Sequence, residues 1–292
     1  MKNVFNVLFF LFFLFTFSAQ AKTTFIEPSQ GVQAFIDKAS AGDVLVVRGI
    51  HVENLVIIRN LTLRGEMNER DGIFPLDRSD VIQVRSGNVT ISRLKITGMG
   101  IRRQVGIRVT TNASIDNCLI TNCEAGIVYA KNATGKAFEN DSNRNRCFGI
   151  HVGSKASPLI TRNRFDKNFL SGISYSVGGG GEASRNRCTD SEIFGIYVAK
   201  NANPLLSRNV CSGNKETGIR YANDAGGEAN NNRCDGNDYG IRVGSGATPS
   251  LNFNSCEGNS SSGIHLEENA TPSLRENACQ NNGNSKKKES PR

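Results

Sequence analysis

The dipeptide Gly-Ile returns at Gly106, Gly126, Gly149, Gly172, Gly195, Gly218, Gly240 and Gly263, with steps of 20, 23, 23, 23, 23, 22 and 23 residues. A fixed period of this size means that one supersecondary unit is stacked on copies of itself. Two asparagine columns keep the same beat. One runs through Asn117, Asn140, Asn163, Asn186, Asn209, Asn232, Asn254 and Asn277. The other, five residues on, runs through Asn122, Asn145, Asn168, Asn214, Asn237, Asn259 and Asn282, with Ser191 standing in once. Gly, Asn and Pro punctuate every unit and leave no room for a helix of normal length. The short pieces between them alternate apolar with polar, which is strand periodicity. The expected architecture is all-β: a single-stranded parallel β-helix of about 23 residues per coil, with coils about 4.8 Å apart. Asparagine suits its bends, because it tolerates left-handed backbone and hydrogen-bonds its own chain.

The interior has a finer, two-coil period. The third residue after each Gly is Val109, Tyr129, Val152, Tyr175, Val198, Tyr221, Val243 and Leu266. Eight residues further come Ala137, Ile160, Ala183, Leu206, Ala229, Leu251 and Leu274. Large Tyr coincides with small Ala, and Val with Ile or Leu, so each coil keeps a similar volume, as a close-packed interior requires. Pro158, Pro204, Pro249 and Pro272 alternate with Gly135, Gly181 and Gly227 on the same period.

The ends differ from the middle. Residues 1–21 have a charged start at Lys2, an apolar run from Val7 to Phe17 and the small-residue stretch Ala19-Gln20-Ala21. They form a secretory signal with cleavage expected after Ala21, and the run is too short for the roughly 20 residues of a membrane span. Residues 22–283 are expected to form the β-helix. Within it, 22–99 hold a capping helix, with Val32, Phe35, Ile36 and Ala39 on one face, and irregular coils; 100–283 hold the regular coils. Residues 284–292 read as a basic disordered tail. No closing element follows the last coil, which leaves it free for end-to-end self-association.

The chemistry-bearing residues are sparse. His51, His151 and His265 do not converge, so no metal site and no cofactor are expected. Asp235 and Glu257 share one column on adjacent coils and are the candidate catalytic pair, because paired carboxylates are the usual tool of sugar cleavage. Cys188, Cys211, Cys234, Cys256 and Cys279 form a buried thiol column, with Phe165 in the same place one coil earlier. Arginines carry the main functional signal. Arg162, Arg164, Arg185, Arg187, Arg208 and Arg233 flank the first asparagine column. A second outward column at Gly-Ile-x contains Tyr197, Arg220 and Arg242. With a net charge of +8, basic and aromatic groups in line suit a long anionic chain. In an exported protein that chain is an acidic polysaccharide rather than nucleic acid.

The stretches "SQGVQAFIDKASAGDVLVVRGIHVENLVI" (29–57) and "GIHVGSKASPLITRNRF" (149–165) resemble, respectively, the opening segment and the repeat of the right-handed parallel β-helix family. That family includes pectate-lyase-like enzymes, mannuronan epimerases, NosD-type periplasmic proteins and the β-helix region of certain F-box proteins. The resemblance covers nearly all of the chain after the signal and implies the right-handed fold. It is silent on chemistry, because the fold hosts many functions. No Asp-Pro-His-Asp stretch of the epimerase kind and no F-box segment occurs. The NosD resemblance implies a periplasmic accessory role, linked in some members to copper, but no matching ligand cluster stands in the sequence. The expectation is therefore a secreted or periplasmic protein that binds an acidic polysaccharide along its outward columns. The alternatives are a polysaccharide lyase, epimerase or hydrolase, and a structural or adhesive repeat protein without catalysis.

The interior register is testable by itself. Tyr175→Val should lower the urea midpoint more than Val198→Ala, because it opens the larger cavity; the reverse order would mean that these two residues do not share the central column.

Overall fold

The computed structural model describes residues 21–66 and 70–283; the expected signal, but for Ala21, and the basic tail lie outside them. The described chain winds into three parallel sheets of twelve, seven and ten strands, here A, B and C in the order in which a coil visits them. In one coil these are Leu159–Thr161 in A, Arg164–Asp166 in B and Ser171–Tyr175 in C. Each strand pairs with its counterpart one period on: Ile150 with Ile173, and Ile173 with Ile196. Residues one period apart therefore lie above one another, as the repeat requires. The irregular early coils already obey this rule, since Asn88–Ser92 pairs residue for residue with Asn112–Asp116.

The Ile of every Gly-Ile from Ile107 to Ile241 is fully buried, as are Tyr129, Val152, Tyr175, Val198, Tyr221 and Val243 and, facing them, Ala137 to Leu251. In the last coil Leu266 and Leu274 stand 38% and 40% exposed, because no further described coil covers them. The Gly/Pro alternation has a steric cause. Gly181 and Gly227 adopt φ of +93° and +102°, and a Cβ there would lie 2.4 Å from the carbonyl oxygens of Pro158 and Pro204 in the coil before.

Two corners close each coil. At the A-to-B corner one residue takes the left-handed conformation (Glu139, Arg162, Arg185 and Arg208 have φ of 52–56°), and the next is a buried asparagine. Asn209 is typical: its Oδ1 accepts the main-chain N–H and the Nδ2–H of Asn186 at 2.9 and 3.0 Å, and its own Nδ2 donates to the carbonyl of Ala183 at 2.8 Å. The B-to-C corner repeats the device, with Asn237 accepting from the Asn214 N–H at 2.9 Å and donating to the Cys211 carbonyl at 3.0 Å. Ser191 donates its N–H to Asn214 at 3.0 Å, but its buried hydroxyl has no partner among the described residues.

The structure corrects the first rung of both columns. Asn117 and Asn122 are exposed and sit at the left-handed bends, with φ of 51° and 59°. Cys118 and Cys123 hold the ladder places instead, donating their N–H groups to Asn140 and Asn145 at 3.0 and 3.1 Å. Asparagine is favoured both at a left-handed bend and on the ladder, so a step of 23 in place of the true 22 went undetected in the residue types.

The helix Val32–Lys38 covers the first coil with Val32 and Ile36 buried and Phe35 packed against the core. It has no side-chain cap of its own. The Glu53 carboxylate supplies one from the next coil, accepting the N–H groups of Val32 and Gln33 at 2.7 and 3.1 Å. The Gln33 amide in turn accepts from the Val56 N–H and donates to its carbonyl, closing the first edge of sheet C as a neighbouring strand would. Among the described residues no helix is long and apolar enough to cross a membrane.

Asn209→Ala would strand the Asn186 N–H and the Ala183 carbonyl in the interior, each at a cost of about 1–3 kcal/mol, so its urea midpoint should fall clearly. Asn117→Gly should leave the midpoint level or slightly higher, since glycine accepts the left-handed bend and no ladder bond is lost. Equal losses would restore Asn117 to the ladder.

Candidate functional site

The outward residues form rows on different faces. Arg162, Arg185 and Arg208 line the A-to-B corner. Arg162 lies 3.7 Å from Glu139 with its guanidinium 5.7 Å from the centre of the Phe138 ring; Arg185 and Arg208 make no ion pair or ring contact among the described residues. Arg164 and Arg187, on sheet B, and Arg233, in the same column past the end of that sheet, form the next row and are largely neutralised. Nearly buried Asp166 pairs with Arg164 and, at 3.5 Å, with Arg187, and also accepts the Thr189 hydroxyl at 2.6 Å.

Asp235 and Glu257 occupy adjacent coils beyond the last strand of this sheet, where the same wall continues as isolated bridges. Asp235 pairs with Arg233 and its Oδ1 accepts the Glu257 main-chain N–H at 2.9 Å. Glu257 receives the Ser255 hydroxyl at 3.5 Å. The Asp235 carboxylate thus ties its coil to the next and is taken up by the chain itself, whereas that of Glu257 has its contact within its own coil.

Tyr197, Arg220 and Arg242 stand apart from those arginines, on the outer face of sheet C. Their row is continuous: Arg108, Val128, His151, Ser174, Tyr197, Arg220, Arg242 and His265 are successive register neighbours. A companion row, on the residue before each Gly, comprises Phe148, Ser171, Phe194, Thr217, Tyr239 and Ser262. The Gly between the rows faces inward, where a Cβ on Gly195 or Gly240 would strike a ladder Asn amide and a Cys side chain. The two rows join into aromatic rungs. Phe148 stacks on His151 with ring centres 5.1 Å apart, and Phe194 on Tyr197 at 5.3 Å. Tyr239 meets His265 at 5.0 Å and carries the Arg242 guanidinium at 5.2 Å. Sequence reasoning found one row and missed Phe148, Phe194 and Tyr239. Their signal was there, an aromatic before the Gly on alternate coils, in step with the interior Tyr/Val period.

Charge on this face is paired but not cancelled. Arg220 and Arg242 share the single carboxylate of Glu267 at 2.7 and 2.9 Å, holding it below the usual carboxylate range, and Arg108 meets Asp80 at 2.5 Å. Burial, and then Arg108, lower the pKa of His151; burial, and then Arg242, lower that of His265. Both shifts favour the neutral imidazole. Beside Phe148, at the B-to-C corner, a shallow cleft of about 540 Å³ is lined by Arg102, Glu124, Arg146, Cys147, Phe169 and Leu170. The Cys147 thiol points at Glu124 Oε1, 3.7 Å away. Burial, and then that carboxylate, push its pKa up, the opposite of an activated nucleophile.

Metal chemistry finds few donors. His51 is interior, with each ring nitrogen 3.0 Å from a carbonyl oxygen, of Gln30 or of Arg48. His151 and His265 are five coils apart. Among the described residues no group of three or more His, Cys, Asp or Glu gathers where it could hold an ion. The cysteines are all free. Cys188, Cys211, Cys234 and Cys256 are fully buried, Cys279 is exposed, and neighbours in the column meet side chain to side chain.

Residues 82–249 match the family model described as periplasmic copper-binding protein (NosD). Solved structures of the same fold include the A-module of mannuronan C-5 epimerase AlgE6 from Azotobacter vinelandii, at 14% identity and a TM-score of 0.62 over 86% of this chain and 90% of that one. Pectate lyase Pel9A aligns at 12% identity and a TM-score of 0.62 over 89% and 80%. The enzymatically active domain of tailspike protein 2 from bacteriophage CBA120 aligns at 12% and 0.66 over 82% and 44%. At these identities the likeness is one of fold. No curated protein sequence matches the chain significantly.

A proton NMR titration should place the His151 midpoint below that of an exposed histidine. Arg108→Gln should raise it, because a neighbouring cation disfavours the imidazolium. A midpoint that does not move would remove Arg108 as a cause.

Proposed function

The chain belongs to the NosD family of periplasmic copper-binding proteins, and from that premise we propose that it is a periplasmic β-helix that binds an acidic polysaccharide along the outer face of sheet C. One observation carries the reading: aromatic rungs recur on every second coil of that face, about 9.6 Å apart for two coils, with arginines in the same rows. A flat ring stacks on the apolar face of a sugar, and a guanidinium forks onto a carboxylate. Glu267 neutralises one of the two charges of Arg220 and Arg242 and fixes both heads in place. A polymer lying along the axis meets one rung after another, and each further contact is intramolecular once the first has formed.

Arg185 and Arg208 serve a different purpose in this reading. They belong to another face and cannot touch the same stretch of polymer, but their uncompensated charge raises the positive potential that draws an anionic chain in. Arg162 adds to them; Arg164, Arg187 and Arg233 contribute less, because Asp166 and Asp235 hold them. The fold likeness to proteins named for mannuronan and pectate makes uronate polymers the first ligands to try. Export through residues 1–21, with cleavage after Ala21, delivers the protein to the compartment in which such polymers occur.

Calorimetry with alginate and polygalacturonate oligomers tests the reading. Phe194→Ala combined with Tyr197→Ala should weaken binding about tenfold, some 1.4 kcal/mol. Arg185→Ala with Arg208→Ala should mainly slow association and flatten its salt dependence. An affinity indifferent to the sheet C pair, or no binding to any uronate polymer, would defeat the proposal. Product formation that disappears in Asp235→Asn would shift the reading to a lyase, epimerase or hydrolase acting through Asp235 and Glu257.

A further inference from the structure

Two of the B-to-C corners are one residue short. Most regular coils place two residues between the ladder residue and the companion row, as in Asn145-Arg146-Cys147-Phe148 and Asn168-Phe169-Leu170-Ser171. Between Cys123 and Ala125, and between Asn237 and Tyr239, stands a single acid, Glu124 or Asp238. The missing residue leaves a notch in the wall. At the second corner the following coil closes it: the Ser260 and Ser261 hydroxyls donate to Asp238 Oδ1 at 2.9 and 2.5 Å. At the first corner the residues in those two places are Arg146 and Cys147, and the notch is the cleft of about 540 Å³ beside Phe148.

The cleft holds opposite charges that do not meet. Arg102, on the coil before, and Arg146 are exposed. Arg146 Nη1 donates to the Gly100 carbonyl at 3.0 Å, and neither guanidinium is ion-paired among the described residues. Glu124 lines the same cleft. Its Oε1 takes only the Cys147 thiol, 3.7 Å away. Its Oε2 is buried with no hydrogen-bond partner among the described residues, a costly state for a carboxylate oxygen. Both arginines and Glu124 act on the Cys147 thiol, which places all three charges around one point. Phe169, 56% exposed, and Leu170 supply an apolar wall. The volume is that of a small-molecule site, and the matching ligand carries an anion, a hydrogen-bond donor and an apolar body. We propose that the cleft binds a free α-amino acid with an apolar side chain: its carboxylate between Arg102 and Arg146, its ammonium on Glu124, its side chain against Phe169 and Leu170. The terminal torsion of a glutamate is soft, so a small turn brings Oε2 to the ammonium. An ammonium is preferred to a hydroxyl there, because a charge-assisted bond is about twice as strong as a neutral one. Binding is non-covalent, and Cys147 keeps its proton as the donor that holds Oε1. No residue of the sheet C rungs lines the cleft, so the site stands or falls independently of polysaccharide binding.

Calorimetry on the full chain with L-phenylalanine, L-leucine and glycine is the test. The expected result is one equivalent of L-phenylalanine or L-leucine bound, with glycine weaker by about tenfold. N-acetyl-L-phenylalanine, which lacks the ammonium, and phenethylamine, which lacks the carboxylate, should each bind about tenfold more weakly than L-phenylalanine. Arg102→Gln, at an exposed position where folding is not at stake, should weaken L-phenylalanine and leave phenethylamine unchanged. Glu124→Gln, with its melting temperature checked, should weaken L-phenylalanine and leave N-acetyl-L-phenylalanine unchanged. Lys136→Gln, on the outer face of sheet A, should alter none of these affinities. No amino acid bound at roughly millimolar concentration, the N-acetyl compound bound as tightly as the free amino acid, galacturonate bound more tightly than L-phenylalanine, or an affinity indifferent to Arg102→Gln would each overturn the site.

Discussion

Every coil turns two sharp corners, and at each one the main chain leaves its sheet with N–H and C=O groups that have no strand to pair with. Buried, such groups are costly. The asparagine ladders return the missing partners: Oδ1 accepts from the rung before, and Nδ2 reaches the carbonyl that closes the coil before it. The fold is thereby locked to one axial spacing, since a ladder amide bridges only between coils in register. The flat Gly strands, the Tyr/Ala exchange and the left-handed bend residues all follow from the need to lay each coil squarely on the last.

The same spacing sets what the surface offers. Whatever residue a column holds is repeated along the axis at the same rise. On sheet C this makes a ladder of aromatic rungs and of guanidinium groups held by Glu267. At the A-to-B corner it stacks arginines, of which Arg162 is paired with Glu139. In the interior it lines up free thiols, coil upon coil. The cleft beside Phe148 holds a thiol whose pKa its surroundings raise.

Much of the fold could be read from the residue types, because a column is a statement about sequence spacing. Ile150, Ile173 and Ile196 had to stack if the period meant anything, and they do. The capping helix was visible in the spacing of Val32, Phe35 and Ile36. Less of the site was legible. Asn117 looked like a ladder residue because the bend and the ladder favour the same amino acid. Phe148, Phe194 and Tyr239 were overlooked because a residue beside a glycine gives no sign of which face it takes until the glycine's own direction is known. The acidic partner of Arg220 and Arg242 was invisible for a simpler reason: Glu267 lies 25 residues from Arg242 and 47 from Arg220, and only the winding brings it to both.

By itself the sequence determined the period, the strand character of the repeat, the alternation of large and small residues inside and the identity of the columns, since all of these depend on spacing along one chain. Tertiary structure decided which columns share a face and which charges are neutralised. Those are matters of angle around the axis and of cover by other coils, and a linear period fixes height along an axis without fixing either.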